Sequence, residues 1–503
     1  MAPADLIVIS DLHLGLGKNP ATGRFRRLEA FFYDADLLTF CRWLCDTARA
    51  DGDRAVRLIF NGDTFDFLRS EPERPTAGPG PFDRFFHDDD SPDQAVRTIE
   101  RILAGHPRFC EAQATVLAAG HEIVMLPGNH DIELQYPGVQ EVLRRHVGER
   151  LAAMPGVDAS AAIERLCFKP WFHYEPGRVW IEHGCQYDPE NAFRFPLRAG
   201  VVDRPDAIAE LPRDMPLGNF FQRYLYNYFG SVTFIVPSTR ANMRYMKFLL
   251  FNQPRVLTRV MFSHLPFVVK VLRRLAGGAV PYHNLADVHA KALAALATSS
   301  GLGERLLRID ALKDVRTDLT RAAQTLIRQT WKVAAAVLLF ATGAVGIWLF
   351  GLVMLGQIGP ELPIGTALLR TLALLTLTLL ISGTTIGVVG WLLLRLINAP
   401  SAMPLGRAAQ ELANEVGVKV VSFGHTHDEV SYPLQLKGGR AWYHNTGTWI
   451  AVFTHDLLLP RERVQFTFLR VRGDDAELLW WSPSRRDALP VILIDEDVSA
   501  LPY

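Results

Sequence analysis

Short apolar runs recur along the chain, and each is followed directly by polar residues of types that bind metal ions. The runs are LIVIS, VRLIF, EIVML, RVWIE and VKVVSF, and their lengths and compositions predict buried β-strands. Helical patterns at about 27–50 and 93–119 separate the first three runs, which indicates a layered α/β core. Polar residues at the carboxyl ends of strands in such a core are expected to converge on one site.

Two much longer apolar runs interrupt this pattern. Residues 333–359 and 371–394 contain no charged side chain, and the first run is 27 residues long. About 20 apolar residues are enough for a helix to cross a bilayer. The segment PELPIGTALLR between the two runs is short and contains two prolines. We therefore predict a transmembrane helical hairpin at 331–397, with a pair of buried helices in a soluble domain as the alternative.

Basic residues around the hairpin predict its orientation in the membrane. Those that precede the first run or follow the second are Arg321, Arg328, Lys332, Arg395 and Arg407. The positive-inside bias places both ends of the hairpin on the cytoplasmic side. We expect a multi-pass protein of the cytoplasmic (inner) membrane, with the lipid bilayer as partner and the α/β domain in the cytoplasm. The spacing of Gly383 and Gly387 suits close helix packing, either within the hairpin or in a homodimer.

The pattern as a whole divides the chain into four parts. These are an α/β domain interrupted after its first part (1–190), a helical and partly interfacial insert (191–330), the hairpin (331–397), and the second part of the α/β domain with a C-terminal tail (398–503). Within the insert, 219–275 mixes aromatic and basic residues, as in a helical segment at a lipid interface. An ordinary helical subdomain that buries those aromatic residues is the alternative.

A long surface loop is predicted at 70–94, which is rich in Pro, Gly and Asp. His87 and the three aspartates after it follow no apolar run, so they are interpreted as a solvated charge run rather than a metal site. The N-terminal sequence MAPADLIVIS has no basic region before its apolar run, and no secretory signal is predicted.

Charge and cysteine content exclude some classes of function. Lys plus Arg and Asp plus Glu are equal at 53 each, so no nucleic-acid partner is expected, since phosphate-backbone binding depends on an excess of basic residues. The five cysteines are an odd number in a long chain, which argues against a disulfide scaffold and fits a reducing compartment.

Seven polar residues at the strand ends form the candidate metal-binding set. They are Asp11, His13, Asp63, Asn129, His183, His425 and His427. Oxygen ligands and imidazoles together suit Mn, Fe or Zn rather than Mg alone, with Mn as the first choice. Seven ligands are too many for one ion and suit two divalent ions that share a bridging carboxylate. Two such ions lower the pKa of a bridging water and clamp a phosphoryl group for in-line attack.

The spacing of these residues predicts how they reach one cluster. His425 and His427 are expected on the same side of an extended segment, because side chains alternate along a strand. Asp11 and His13 have the same relation, so each pair is expected to offer ligands without distorting the backbone.

Two further residues are candidates for catalysis. A leaving alkoxide needs a proton, and His130 is placed next to a predicted ligand to supply it. Asp131 follows directly and is expected to orient the imidazole of His130. A role of His130 in orienting the substrate alone is the alternative. No substrate-binding residue is predicted.

The order of the five motifs, DxH, GD, GNHD, HG and GHTH, resembles that of the calcineurin-like metallophosphoesterase superfamily over about 5–190 and 415–455. The resemblance implies a two-sheet sandwich flanked by helices, here with an inserted helical region that contains the hairpin. It also implies that one ion is held by Asp11, His13, Asp63 and His427, and the other by Asp63 as bridge, Asn129, His183 and His425. His130 matches the catalytic histidine of the superfamily.

Within the superfamily, the segments ISDLHLG, NGDTFDF and YHNTGTW look most like the bacterial UDP-2,3-diacylglucosamine hydrolase branch. Asp66 and Trp449 carry that likeness, although a helix cap and a core tryptophan are equally good interpretations of them. The branch has Arg where this chain has His130, so its substrate and cleavage position are not transferred.

These observations favour a membrane-bound hydrolase of a phosphate ester or pyrophosphate in a lipid or lipid-linked molecule. The 191–330 insert and the hairpin both lie between His183 and His425, where they could form one wall of the active-site mouth. A tethered phosphoesterase acting on a soluble nucleotide or phosphoprotein is the second hypothesis. A membrane scaffold that binds without cleaving is the third.

Overall fold

The computed structural model describes residues 3–70, 91–197, 282–313, 405–453 and 466–491, with isolated positions at 215–235, 343–380 and 464. The chain divides into two compact units, Met1–Thr317 with Ala402–Tyr503, and Asp318–Ser401. Most of the predicted hairpin, of the 191–330 insert and of the 70–94 loop lies outside the described residues.

The first unit is a mixed α/β domain with two multi-stranded sheets. Its strands are β1 (Asp5–Ile9), β2 (Val56–Asn61), β3 (Glu122–Leu126), β4 (Leu166–Phe168), β5 (Phe172–Glu175), β6 (Val179–Glu182), β7 (Phe234–Ile235), β8 (Val420–Phe423), β9 (Glu429–Leu436), β10 (Gly439–Thr446), β11 (Val452–Phe453), β12 (Thr467–Arg472), β13 (Asp475–Ser482) and β14 (Asp487–Pro490). The five predicted apolar runs form β1, β2, β3, β6 and β8, so these strand predictions are confirmed.

Eight described α-helices accompany the strands. They are α1 (Asp34–Ala50), α2 (Pro92–Gly105), α3 (Pro107–Ala118), α4 (Pro137–Ala152), α5 (Ala159–Ile163), α6 (Tyr282–Ser299), α7 (Glu304–Asp310) and α8 (Leu405–Val416). The helix predicted at 93–119 is divided between α2 and α3, because Pro107 has no N–H to continue a helical ladder.

The larger sheet has seven strands in the order β14-β13-β12-β1-β2-β3-β4. Strands β1 to β4 run parallel, while β12, β13 and β14 pair antiparallel with their neighbours. The second sheet has the order β5-β6-β8-β10-β9, with parallel pairing at its centre and antiparallel pairing at both edges. A short sheet pairs β7 with β11.

The two large sheets pack face to face and helices cover their outer faces. Apolar residues of both sheets form the inner core, among them Leu6, Val8, Ile59, Val124, Val179, Ile181, Val420 and Leu469. Helices α1 to α4 bury their apolar residues against the outer face of the seven-stranded sheet. Helices α6 to α8 do the same on the second sheet, where Leu412 packs with Trp180 and Val421. Each large apolar side chain buried in this way contributes roughly 1.5–3 kcal/mol to folding.

A buried ionic cluster holds the segment that precedes α1. The Glu29 carboxylate accepts N–H bonds from Gly15 and Phe31, at 3.2 and 2.9 Å. Because Glu29 binds these N–H groups in a loop, the helix predicted from residue 27 begins only at Asp34. His106 lies between Glu29 and Asp34, with ring nitrogens 3.4 and 3.0 Å from their oxygens. Burial opposes its charge, but the two carboxylates raise the pKa of His106 from 6.5 to about 9.

This cluster predicts a pH-dependent stability. The pKa of His106 is higher in the folded state, so its stabilisation is complete below pH 6.5 and is lost as the pH rises through about 9. Between these limits the free energy of unfolding should fall by on the order of 3 kcal/mol more in the wild type than in His106→Gln. Urea unfolding at several pH values measures the difference, and parallel curves for the two proteins would contradict it.

The hairpin prediction is not supported by the described residues. Within the part of the chain that the structure describes, no helix has both the length and the apolar character needed to cross a membrane. The described positions between 343 and 380 are nevertheless helical, and their large apolar side chains are exposed.

Candidate metal centre

The loops after β1, β2, β3, β6 and β8 meet at one end of the two sheets. Each carries one of the five polar motifs, and the loop after β1 runs beside the loop after β2. His13 N–H donates to the carbonyl of Asp63 at 2.9 Å, and Leu14 N–H donates to that of Thr64 at 2.9 Å. The parallel central strands thus bring motifs from distant parts of the sequence together, as expected for the carboxyl ends of strands.

Three groups of buried side chains at this end have the geometry to hold a metal ion. In each group the potential ligand atoms lie within 4.8 Å of one another. The groups are Asp11 with His13 and His427, His13 with Asp63 and His130, and Asp11 with Asp63 and His183. Asp11, His13 and Asp63 each belong to two groups, so the three groups form one continuous cluster.

The backbone reaches this geometry in a way that strand alternation did not predict. Asp11 and His13 have φ values of 54° and 50°, and His425 and His427 have φ values of 72° and 59°. These are left-handed conformations, which are uncommon for residues other than glycine and concentrate at functional sites. The prediction that each pair lies on one side of an extended segment is therefore wrong. The ligands are presented by tight loops beyond the strand ends.

Two motif glycines are required because a ligand side chain fills the space beside them. A Cβ added to Gly128 would lie 2.2 Å from Asp63 Oδ1. A Cβ added to Gly62, whose φ is +78°, would lie 2.5 Å from His183 Nδ1. The glycines of the GD and GN motifs thus leave room for ligands that come from other motifs.

On one side of the cluster, His13 and His427 face Asp11. Their Nε2 atoms are 3.0 Å apart, and His427 Nε2 is 3.3 Å from Asp11 Oδ1. Burial lowers the pKa of His13 to about 4, although the bond to Asp66 opposes this shift. A neutral imidazole is the form that binds a metal. This side therefore offers two imidazole nitrogens and a carboxylate oxygen to one metal ion.

On the other side, His183 meets Asp63. Its Nδ1 donates to the carbonyl of Asn61 at 2.9 Å, and its Nε2 is 3.3 Å from Asp63 Oδ2. The backbone bond fixes the ring so that Nε2 faces the cluster, as for metal-binding histidines. Burial opposes the charge of His183, but Asp63 and Asp11 raise its pKa to about 10. The carboxylates thus attract positive charge to this position.

Asn129 is held so that its amide oxygen remains available. Its Nδ2 donates to Asn219 Oδ1 at 3.1 Å, and Asn219 Nδ2 donates back to the Asn129 carbonyl at 2.7 Å. Asn129 Oδ1 is buried and has no hydrogen-bond partner among the described residues. A buried amide oxygen without a partner is costly, and a metal ion satisfies it. The donor set therefore fits a divalent metal.

His425 lies at the same end but is turned toward another carboxylate. Its ring is 5.3 Å from that of His183, and its Nε2 is 2.8 Å from Asp188 Oδ2. Its backbone N–H donates to Asp11 Oδ2 at 3.0 Å. His425 therefore has only Nδ1 to offer to an ion while Asp188 holds Nε2.

His130 contacts Asp66 rather than the aspartate that follows it. His130 Nδ1 is 3.0 Å from Asp66 Oδ1. Burial opposes the charge of His130, but Asp66 and Asp63 raise its pKa to about 9. The Asp131 carboxylate instead accepts the backbone N–H groups of Asp63 and Thr64, at 3.1 and 2.8 Å. The expectation that Asp131 orients His130 is thus corrected, because Asp131 shapes the loop after β2 and Asp66 contacts the imidazole.

Residues outside the seven candidates also take part in the site. The sequence pattern does not predict Asp188 and Asn219, and it allows two roles for Asp66. The position of Asp66 three residues after Asp63 was the available signal for it. Neither Asp188 nor Asn219 directly follows an apolar run, so the pattern of runs and polar motifs does not identify either residue. Trp449 is a core residue: it is fully buried and its Nε1 donates to the Thr467 carbonyl at 2.8 Å.

Comparison with known proteins adds no family assignment. No protein-family model matches the chain, and no curated protein matches it.

Proposed function

We propose that this protein is a metal-dependent hydrolase of a phosphate ester or pyrophosphate, which uses two divalent ions at the end of a two-sheet sandwich. The observation that carries the proposal is the continuous cluster of buried His and Asp groups to which all five motifs contribute. The motif order that resembles calcineurin-like metallophosphoesterases supports it further. Mn is the first candidate for the ions, with Fe and Zn as alternatives.

The ligands divide into two neighbouring sets. One ion would be held by Asp11, His13, Asp63 and His427, and the other by Asp63, Asn129, His183 and His425. When bound, such ions would lower the pKa of a water molecule and neutralise negative charge on the phosphoryl group. The shared position of Asp63 supports this division, because it belongs to groups on both sides of the cluster.

We infer that His130 donates a proton to the leaving oxygen. In this proposal the substrate meets Nε2 of His130, while the Asp66 carboxylate holds the opposite ring nitrogen, Nδ1, at 3.0 Å. Asp66 also stabilises the protonated imidazole, which is the form that can act as an acid. Asp66 is the positioning residue and His130 the proton donor in this proposal.

The substrate is proposed to be a lipid or a lipid-linked molecule at the cytoplasmic face of the membrane. Among the described residues, 11 large apolar side chains are exposed, and seven of them lie between 345 and 380: Val345, Trp348, Leu349, Leu369, Leu372, Leu375 and Leu380. Exposed apolar surface, where it is contiguous, marks contacts with lipid or with another protein. The two long uncharged runs in which they lie favour lipid.

Two described residues of the 191–330 region contact residues at or near the candidate metal centre. Asn219 binds the predicted ligand Asn129 through two hydrogen bonds, at 3.1 and 2.7 Å. Asn227 Nδ2 donates to the carbonyl of Leu68 at 2.7 Å, close in sequence to Asp66. This region interrupts the catalytic domain, and these contacts support a role for it in forming one wall of the site.

The lipid proposal predicts a preference for dispersed substrate. The full-length protein should hydrolyse a long-chain lipid phosphate in detergent micelles at least about 10-fold faster than its water-soluble short-chain analogue, because burial of additional CH₂ groups favours binding. Replacement of 327–396 by a short linker should reduce the rate on the lipid and leave the rate on the soluble analogue unchanged. Equal rates of the intact protein on both substrates would contradict the lipid proposal and favour the soluble-substrate alternative.

A further inference from the structure

Hydrogen bonds behind the metal cluster join two ligands of the second ion. In the proposed division, the second ion is the one assigned to Asp63, Asn129, His183 and His425. His425 Nε2 lies 2.8 Å from Asp188 Oδ2, and Asn191 Nδ2 donates to the same oxygen at 2.7 Å. Asn191 Oδ1 accepts from Asn129 Nδ2 at 3.5 Å. A chain of polar side chains therefore connects His425 to Asn129 through protein atoms alone.

Two neighbouring residues of the 191–330 region complete this chain. Asn219 is buried, its Oδ1 accepts from Asn129 Nδ2 at 3.1 Å, and its Nδ2 donates to the Asn129 carbonyl at 2.7 Å. A Cβ added to Gly218 would lie 2.2 Å from Asn191 Oδ1. Glycine at position 218 thus lets the backbone approach the Asn191 side chain closely enough for Asn219 to reach Asn129.

Donors and acceptors follow one consistent direction along the chain. An ionised carboxylate only accepts hydrogen bonds, so Asn191 turns its NH₂ group to Asp188 and its oxygen to Asn129. A backbone carbonyl also only accepts, so Asn219 donates its NH₂ group to that of Asn129 and turns its oxygen to the Asn129 side chain. The NH₂ group of Asn129 therefore meets two oxygens. Its own Oδ1, which is buried without a hydrogen-bond partner among the described residues, is the atom left for an ion.

The Asp188 carboxylate also orients the imidazole of His425. Because this carboxylate accepts from Nε2, a neutral His425 carries its proton on Nε2 and its lone pair on Nδ1. An imidazole nitrogen with a free lone pair is the form that binds a metal. Asp188 thus acts directly on His425 and, through Asn191, on Asn129. His13, which belongs to the first ion alone, is instead held by Asp66, whose Oδ2 is 3.6 Å from His13 Nδ1.

We propose that Asp188, Asn191 and Asn219 are positioning residues that set the affinity of the second ion and not that of the first. Hydrogen-bond partners of metal ligands orient those ligands, and their loss typically weakens metal binding by about 10-fold to about 100-fold. Asn191 and Asn219 belong to the 191–330 region, so their contacts and the occupancy of the second ion stabilise each other. This inference rests on the proposed function and adds a control of its metal centre.

Calorimetric titration of the full-length, metal-free protein with MnCl₂ tests the inference. The wild type should bind two Mn²⁺ ions per chain. Asn191→Ala and Asn219→Ala should each raise the Kd of one ion by about 10-fold to about 100-fold and change the Kd of the other by less than about 3-fold. Electron paramagnetic resonance at a Mn²⁺ concentration that just fills both sites of the wild type should show isolated Mn²⁺ in the variants, in place of the magnetically coupled pair.

Two ligand variants show which of the ions is affected. His427→Ala removes a ligand of the first ion, and His183→Ala removes a ligand of the second. Adding Asn219→Ala to His427→Ala should raise the Kd of the remaining ion by about 10-fold to about 100-fold. Adding it to His183→Ala should change the Kd of the remaining ion by less than about 3-fold. The reverse pattern would overturn the inference.

Asn414→Ala is the matched control. Asn414 is exposed on α8, where its Nδ2 donates to the Gln410 carbonyl at 2.9 Å and its Oδ1 accepts from the Lys437 N–H at 3.0 Å. Its loss should leave both Kd values within about 2-fold of the wild type. Unchanged Kd values in Asn219→Ala and Asn191→Ala, or an equal rise of both, would overturn the positioning role alone. A wild-type protein that binds fewer than two Mn²⁺ ions would overturn the proposed function as well.

Discussion

Replacing Asp63 with Asn is expected to abolish the binding of at least one ion and to lower kcat/KM for ester hydrolysis by at least about 1000-fold. Asp63 lies in groups with His13 and with His183, so its carboxylate serves both sides of the cluster. Burial raises its pKa, but the charges of His183 and His130 outweigh this and hold the pKa well below its usual range. Asn keeps the shape of the side chain and removes its charge.

Asp46→Asn provides the matched control for this variant. The Asp46 side chain is 74% exposed on α1 and pairs only loosely with Arg49, at 3.4 Å. Its loss should leave both metal content and kcat/KM within about 2-fold of the wild type, as for most surface substitutions. Metal content by mass spectrometry and hydrolysis of bis(p-nitrophenyl) phosphate measure the two effects. Wild-type activity in Asp63→Asn, whatever the metal content of the variant, would contradict the role of Asp63 as a carboxylate shared by two ions.

Replacing His130 with Gln is expected to lower the hydrolysis rate by an amount that depends on how basic the leaving group of the substrate is. An alkyl phosphate leaves as a basic alkoxide, so its hydrolysis should lose the roughly 100-fold to 10,000-fold that a positioned general acid provides. A p-nitrophenyl ester leaves as a stable phenolate, and its rate should fall by less than about 10-fold. Asp66→Asn should also lower the rate on the alkyl ester more than the rate on the aryl ester, but by smaller factors. The Asp66 carboxylate acts through the position and charge of His130.

A histidine outside the site serves as the control for His130. His146 on α4 is 22% exposed and pairs with Glu100 at 2.8 Å, so His146→Gln should not distinguish between the two esters. Equal losses on the alkyl and aryl esters in His130→Gln would contradict a proton-donor role. That result would favour the alternative in which His130 only orients the substrate.

The strands of the α/β domain were predictable because their signal is local. The run before Asp11 and the run before Asp63 are continuous stretches of apolar residues that end in polar residues. Such runs must be buried in a sheet, and parallel strands bring their carboxyl ends together. The α/β class and the convergence of Asp11, His13, Asp63, His183 and His427 follow from that reasoning.

The detailed geometry of the site was not predictable, because it depends on contacts between distant segments. Sequence adjacency suggested Asp131 as the partner of His130, whereas the chain folds Asp66 against that imidazole. The left-handed backbone at His425 and His427 likewise had no local signal, because few residues other than glycine adopt it. Asn219 lies 90 residues from its partner Asn129, a separation at which no local pattern operates.

Anomalous X-ray scattering from crystals grown with Mn²⁺ tests directly whether the cluster of His and Asp side chains holds two metal ions. We expect two peaks within the cluster, one between Asp11, His13 and His427 and the other beside His183 and Asn129, with Asp63 adjacent to both. Data from the Asp63→Asn variant should lose at least one of these peaks. Crystals of the wild-type protein that show no peak within this cluster, or one that contacts neither Asp11 nor Asp63, would contradict the account.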